Sequence, residues 1–255
     1  MKSLPAISAQ IDEKIINKVI QKKFALLSPY YYSFMSNWLI RAYKRYDDID
    51  KFLIIVYLIH KNLVFYKKNA LVVDYDSFYK DRTIEIEKIN ISEISHDLKI
   101  PKESVRRKIL YLEKKRLIKR IGKKIFVDRS TFLNAKATDT LKELCILLNE
   151  FNKLLKKEKI IDSVFELKEI DKSIKNNFSF CLYQLNKFLF IYFNRWRPEM
   201  KDLETLTIAM LVVLNATQNK EFKPSKLSIK SYREEIMGSD FRGVNAMSIS
   251  DITGI

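Results

Sequence analysis

Two histidines, His60 and His96, and two cysteines, Cys145 and Cys181, are the side chains of this 255-residue sequence best suited to hold a metal or attack a carbonyl, and all four stand far apart. Zinc sites draw on ligands a few residues apart, so no cluster of that kind is encoded. A disulfide framework is equally unsupported, and reduced thiols suit a cytosolic chain. Phosphate-cradling loops need several glycines in one short stretch, whereas the chain has four in all, Gly122, Gly238, Gly243 and Gly254. Gly238 and Gly243 have the spacing of a P-loop, yet Val244 and Asn245 follow where that loop needs Lys and then Ser or Thr. No nucleophile, base and orienting group fall together, so no enzyme is expected, with no cofactor and no metal.

The chemistry that remains is charge. The chain carries 47 Lys and Arg against 31 Asp and Glu, a formal +16. Twelve basic and two acidic residues fall within Lys99–Lys124, so +10 of that charge occupies 26 residues and the other 229 share +6. Lys outnumbers Arg 35 to 12, a bias that AT-rich coding would produce unaided. Coding bias does not concentrate charge in a tenth of a chain, and such clustering is the footprint of a nucleic-acid surface.

The elements that must position this charge are mainly helical. Ile11, Ile15, Ile16, Val19, Ile20 and Phe24 repeat at helical spacing, a pattern that Pro29 is expected to end. A second helix is expected from about Tyr31 to Tyr46, and a third from Asp47, Asp48 and Asp50 to about Tyr66, its acidic start favouring the helix dipole. Residues 69–88 read equally as short strands or as an ordered connection. A short helix then spans Asn90–Leu98 with Ile91, Ile94 and Leu98 on one face, and a second opens at Pro101, where a missing amide costs nothing, with Val105, Ile109 and Leu112 as its buried stripe. Leu117–Ile121 and Lys124–Val127 are β-prone runs split at Gly122-Lys123, a hairpin signal.

This order resembles the winged helix-turn-helix superfamily of bacterial DNA-binding regulators. The resemblance rests on Ile91-Ser92-Glu93-Ile94-Ser95 for the positioning helix, on Ile100-Pro101-Lys102-Glu103-Ser104-Val105-Arg106-Arg107-Lys108-Ile109 for the recognition helix, and on Leu112 to Arg120 running into the wing. It implies a mainly α fold with a small β-hairpin wing, the motif spanning about 89–128, and sequence-specific binding of double-stranded DNA.

Shifting the chain by 154 residues sets Phe34, Trp38 and Arg41 against Phe188, Tyr192 and Arg195, Asp48-Ile49-Asp50 against Asp202-Leu203-Glu204, and Ser77-Phe78 against Ser231-Tyr232. At 155, Asn90, Ile94, Ser95 and Ile100 meet Asn245, Ile249, Ser250 and Ile255. A tandem repeat is the expectation. The organisation read from sequence is therefore 1–130 as a helical region with the winged helix, 131–175 as a helical linker or dimerisation segment, and 176–255 as a second copy that stops before its own recognition helix, with the natural chain expected to continue past Ile255.

With Val105, Ile109 and Leu112 inward, the opposite face of the recognition helix, 101–116, carries Glu103, Ser104, Arg107, Tyr111 and Lys114. Arg107, Ser104 and Glu103 are the candidate base readers in the major groove, Arg107 through bidentate pairing with guanine. Lys102, Arg106, Lys108 and Lys114, with Lys119, Arg120, Lys123 and Lys124 of the wing, are the candidate phosphate contacts. Glu103 also suits the helix amino terminus by its charge, and Lys114, Lys115 and Arg116 the carboxy terminus. Leu141, Leu144, Cys145, Leu148, Phe151, Leu154 and Leu155 make a stripe suited to a partner helix, so a homodimer or an intrachain pseudo-dimer is expected. The apolar runs Phe52–Ile59 and Leu206–Leu214 fall short of the roughly 20 residues that cross a bilayer, and Met1–Gln10 lacks an apolar core, so no membrane partner and a cytoplasmic, nucleoid-associated location are expected. The function that follows is transcriptional regulation without catalysis. The alternatives are a plasmid- or phage-type replication initiator with tandem winged helices and a winged helix used for protein contact.

Overall fold

The computed structural model describes residues 12–80, 83–86, 90–122, 124–128, 137–200, 202–218, 224, 226–238 and 244–255. The fold is mainly helical with one small antiparallel sheet. Its elements are α1 (Glu13–Tyr46), α2 (Ile49–Lys68), α3 (Tyr75–Lys80), β1 (Thr83–Ile86), α4 (Ile91–Leu98), α5 (Lys102–Lys114), β2 (Ile118–Ile121), β3 (Lys124–Asp128), α6 (Ala137–Lys157), α7 (Leu167–Asn176), α8 (Phe178–Trp196), α9 (Leu203–Gln218), α10 (Ile229–Met237) and α11 (Ala246–Thr253). None of the described helices is long and apolar enough to cross a membrane. Two compact units form, one from residues 41–137 and 173–206, the other from 12–40, 138–172 and 207–255.

In the first unit α2 is the central element. Asp48 caps it, its carboxylate accepting the Lys51 amide at 2.8 Å. The run Phe52–Ile59 is buried on every side because α8, α5, α4, β1 and β3 all pack against α2. Burying each such aliphatic side chain contributes about 1.5–3 kcal/mol. The stretch that sequence left open is connection and strand in part, and it holds a helix that neither reading offered: the Ser179 amide, at the start of α8, donates to the Val73 carbonyl and the Ser179 hydroxyl accepts the Val73 amide, each at 2.9 Å, then α3 buries Phe78, and β1 follows.

β1 pairs with β3 and β3 with β2, giving the order β1-β3-β2. The register sets Ile84 against Val127, Ile86 against Ile125 and Ile118 against Val127. Those five residues are buried while Thr83, Glu85, Lys119 and Lys124 are exposed, the alternation that a sheet with one covered face requires. Ile121 and Lys124 close the hairpin, and Gly122 takes φ +59°, the left-handed conformation that a two-residue turn demands.

The second unit corrects one boundary. Pro29 lies inside α1, and the helix bends instead at Lys23, where φ is −128° and ψ is 19°. The carbonyl that Pro29 leaves without an amide donor, that of Ala25, accepts the Ser28 hydroxyl at 3.0 Å, and the Ala25 amide donates to the Leu227 carbonyl at 3.1 Å. A proline therefore costs little here, because a neighbouring hydroxyl replaces the lost bond. The apolar stripe of α6 is occupied within the chain: Leu154 and Leu155 bury against Val19 and Leu27 of α1, with Ile16, Ile20 and Phe151 packed on the cluster. α7 ends at Asn176 and α8 starts at Phe178, so one residue, Asn177, separates the two helices. Residues 131–136, the start of the expected linker segment, lie outside the described residues.

Candidate nucleic-acid interface

α4 and α5 are joined by the three residues Lys99-Ile100-Pro101. Asn90 caps α4 through its side chain, which accepts the Ser92 amide at 2.9 Å. Lys99 turns left-handed at φ 52°, the Ile100 amide returns to the Ser95 carbonyl at 3.1 Å, and the Ser95 hydroxyl donates to the Ile100 carbonyl at 2.7 Å. α5 ends in the same way, with Arg116 at φ 58° and the Leu117 amide bonded to the Leu112 carbonyl at 3.0 Å, which delivers the chain directly into β2. The apolar residue after each turn, Ile100 or Leu117, is buried. Two helix ends of one design thus set the angle between α4 and α5 and between α5 and the hairpin.

α4 is held from outside as well. The Tyr57 hydroxyl donates to Asp97 at 2.6 Å, Lys61 pairs with Glu93, and Asn194 donates to the Asp97 carbonyl at 2.8 Å. Burial and the bond to Asp97 push the Tyr57 phenol pKa up, while at Asp97 burial is outweighed by the bonds from Tyr57 and His96, which hold the carboxyl below its usual range.

Along α5, Val105, Ile109 and Leu112 are buried as their spacing requires, and Lys102, Glu103, Arg106, Arg107 and Lys114 are exposed. The cations fall into two sets. Arg106 is paired with Glu103 one turn earlier, at 2.7 and 3.0 Å, which draws the Glu103 carboxyl down in pKa. Lys108 turns away from the outer face to Asp48, with Asp50 at 3.9 Å. Arg120 grips Glu113 through two bonds of 2.8 and 3.1 Å, and Lys124 pairs with Glu85. Among the described residues no carboxylate pairs with Lys102, Arg107, Lys114 or Lys119. Arg107 meets the Ser104 hydroxyl at 3.5 Å. Lys123 lies outside the described residues.

Two residues on this surface were not signalled by sequence. Leu110 is 47% exposed between Arg107 and Lys114, and its clue is only that it falls outside the buried stripe. Lys51, in the first turn of α2, holds its ammonium 3.6 Å from the centroid of the Tyr111 ring. No local pattern connects position 51 to α5.

The four metal-capable residues sit in unrelated settings. His96 is exposed beside Asp97, and Cys145 is buried in the second unit. Burial pushes the Cys181 thiol up to about 11. His60 stacks on Tyr183 at 4.9 Å, and burial, then the charges of Lys61, Lys187 and Lys67, lower its pKa to about 4. Comparison with known proteins gives no match to a family model, a curated protein or a solved structure.

Proposed function

We propose that this chain is a sequence-specific double-stranded DNA-binding protein of winged helix-turn-helix type, most simply a transcriptional regulator, that lays α5 in the major groove and sets the β2–β3 hairpin on the flanking backbone. The observation that carries the reading is the sorting of charge on α4–α5–β2–β3. Of the cations that carboxylates neutralise, Lys108, Arg120 and Lys124 tie elements together and Arg106 pairs within α5, while Lys102, Arg107, Lys114 and Lys119 stand exposed without one among the described residues. Exposed like charges on one surface repel, and phosphates relieve that cost. A helix pair joined by a three-residue turn is the geometry that presents its second helix to a groove. Arg107 reads bases, and the lysines position the helix. The action is occupancy of DNA, without catalysis.

The test is binding of the protein to a pool of random duplexes. Enrichment of one motif, with affinity falling steeply as salt rises, supports the proposal. Retention of an acidic protein with no duplex binding near 0.15 M salt favours the protein-contact reading instead.

A second reading, replication initiation on repeated sites, is favoured by helix caps that recur at the sequence offset. Asp48 accepts the Lys51 amide, and 154 residues on Asp202 accepts the Thr205 amide at 2.7 Å. Asp74 accepts the Ser77 amide at 2.9 Å, and Ser228 accepts the Ser231 amide at 3.3 Å. Phe78 and Tyr232, also 154 apart, are both buried, and Lys99 and Gly254, at 155, both take left-handed φ after a short helix. Enrichment of directly repeated sites rather than a single operator selects this reading.

A further inference from the structure

We propose that Lys51 of α2 and Ser104 of α5 form a seat for one backbone phosphate of the DNA, beside the base-reading Arg107. The inference deepens the DNA-binding reading and rests on it. Lys51, Ser104, Arg107, Lys108 and Tyr111 line an open notch of about 320 Å³, room for a phosphodiester with its waters. On α5, positions 104, 107, 108 and 111 are consecutive members of one helical stripe, so Lys51 approaches along that stripe from the neighbouring helix.

The charges around the notch decide what it can take. Lys108 is neutralised by Asp48 and Asp50, and Asp50 is shared with Arg197 at 2.6 Å. Asp47 accepts the Tyr111 hydroxyl at 3.3 Å. Lys51 and Arg107 are the lining cations with no ion-paired carboxylate among the described residues, and the Arg107 guanidinium meets the Ser104 hydroxyl at 3.5 Å. The Tyr111 ring beneath the ammonium fixes Lys51 at the rim, so little side-chain freedom is lost on binding. An ammonium and a hydroxyl at a concave site are donors that a phosphate's oxygens accept from, with Arg107 adding positive potential beside them, and Lys acts there as a point charge without base preference. The seat takes its ammonium from α2 and its hydroxyl from α5, so it registers α5 along the groove.

The experiment measures affinity against salt for duplexes of several sequences, using the full chain, Lys51→Met, Lys51→Arg and, for net charge alone, Lys22→Ala on the exposed side of α1. Thermal melts establish that each variant is folded. The slope of log K against log salt should fall by about one in Lys51→Met, equally on every duplex, return in Lys51→Arg and stay unchanged in Lys22→Ala. A Lys51→Met slope equal to that of the unmodified chain overturns the seat and leaves the DNA reading standing. An unmodified chain without salt-dependent duplex binding overturns the reading itself, and the seat with it. Inorganic phosphate separates the two sources of anion. A millimolar, saturable thermal stabilisation by phosphate that Lys51→Met abolishes, with the duplex slope unchanged, assigns the notch to a soluble ligand and overturns the DNA seat.

Discussion

Lys108, in the middle of the helix proposed to read DNA, is paired with Asp48, the residue that caps the helix on which that reading helix rests. Both side chains are about one-fifth exposed. The pair therefore lies between the regime of surface bridges, worth under about 1 kcal/mol, and that of buried ones, whose breakage costs about 3–5 kcal/mol. Lys108→Met should destabilise the first unit by about 1–3 kcal/mol in urea unfolding. Asp48→Asn keeps a capping oxygen and removes the charge, so it should cost a similar amount, and the double variant less than the sum. Additive losses would show that the two residues act independently. The salt slope of DNA binding should be the same in Lys108→Met as in the unmodified chain, because this charge already has its partners.

Arg107 has the opposite profile. Its guanidinium is exposed, it meets the Ser104 hydroxyl at 3.5 Å, and its removal breaks no ion pair among the described residues. Arg107→Ala should leave unfolding within about 0.5 kcal/mol of the unmodified chain. It should cost about 1–3 kcal/mol of DNA affinity and relax preference at one base position. A uniform loss on all sequences would move Arg107 from the base readers to the phosphate contacts.

Why some of this was legible in the sequence, and some not, follows from the range of the forces involved. The stripe Val105, Ile109, Leu112 and the caps at Asp48 and Asn90 are local, so periodicity and cap chemistry find them. The pairing of β1 with β3 joins residues about forty positions apart, and four residues of Thr-Ile-Glu-Ile do not announce a partner. The rule that a proline ends a helix fails at Pro29 because the adjacent Ser28 hydroxyl satisfies the Ala25 carbonyl, while the bend at Lys23 and the bond from the Ala25 amide to the distant Leu227 carbonyl show in no window. In the candidate interface, residue type marked the cations but did not sort them. The Glu103–Arg106 pair could be read from its spacing, whereas the partners of Lys108 lie some sixty residues earlier and the link from Lys51 to Tyr111 spans a similar distance. Periodicity faces α5 correctly but cannot tell which of its charges are already satisfied.

Lys99 shows where the turn is under tension. It holds φ 52° without being glycine, as do Asp47, Ala70, Arg116 and Lys159. A side chain in this region costs about 1 kcal/mol, which glycine avoids, at the expense of a more flexible unfolded chain. Lys99→Gly should raise stability by about 0.5–1 kcal/mol, as should Ala70→Gly, which is far in sequence from the proposed site. Urea midpoints measure both. If Ala70→Gly stabilises and Lys99→Gly does not, the bond from the Lys99 ammonium to the Asn194 carbonyl, 3.3 Å, is what offsets the strain.

His60 gives the first unit a defined response to acid. Its ring is half-buried, stacked on Tyr183, with Phe190 edge-on at 5.2 Å, and its Nδ1 has no hydrogen-bond partner among the described residues. Burial and the charges of Lys61, Lys187 and Lys67 hold its pKa at about 4, against 6.5 in the unfolded chain. The unfolded chain therefore takes up the proton first as pH falls. Above pH 6.5 the ring is neutral in both states and costs nothing, and between 6.5 and about 4 stability declines as the unfolded state gains protons. The ring is partly open to water, so the loss is about 1–2 kcal/mol rather than the full value of the shift. His60→Phe keeps an aromatic surface for Tyr183 and removes the titration. Carboxylates titrate in the same window, so the informative quantity is the difference between the two proteins in urea unfolding at pH 7 and pH 4.5. That difference should move in favour of His60→Phe by about 1–2 kcal/mol on acidification, and a constant difference would show that His60 titrates alike in the folded and unfolded chain.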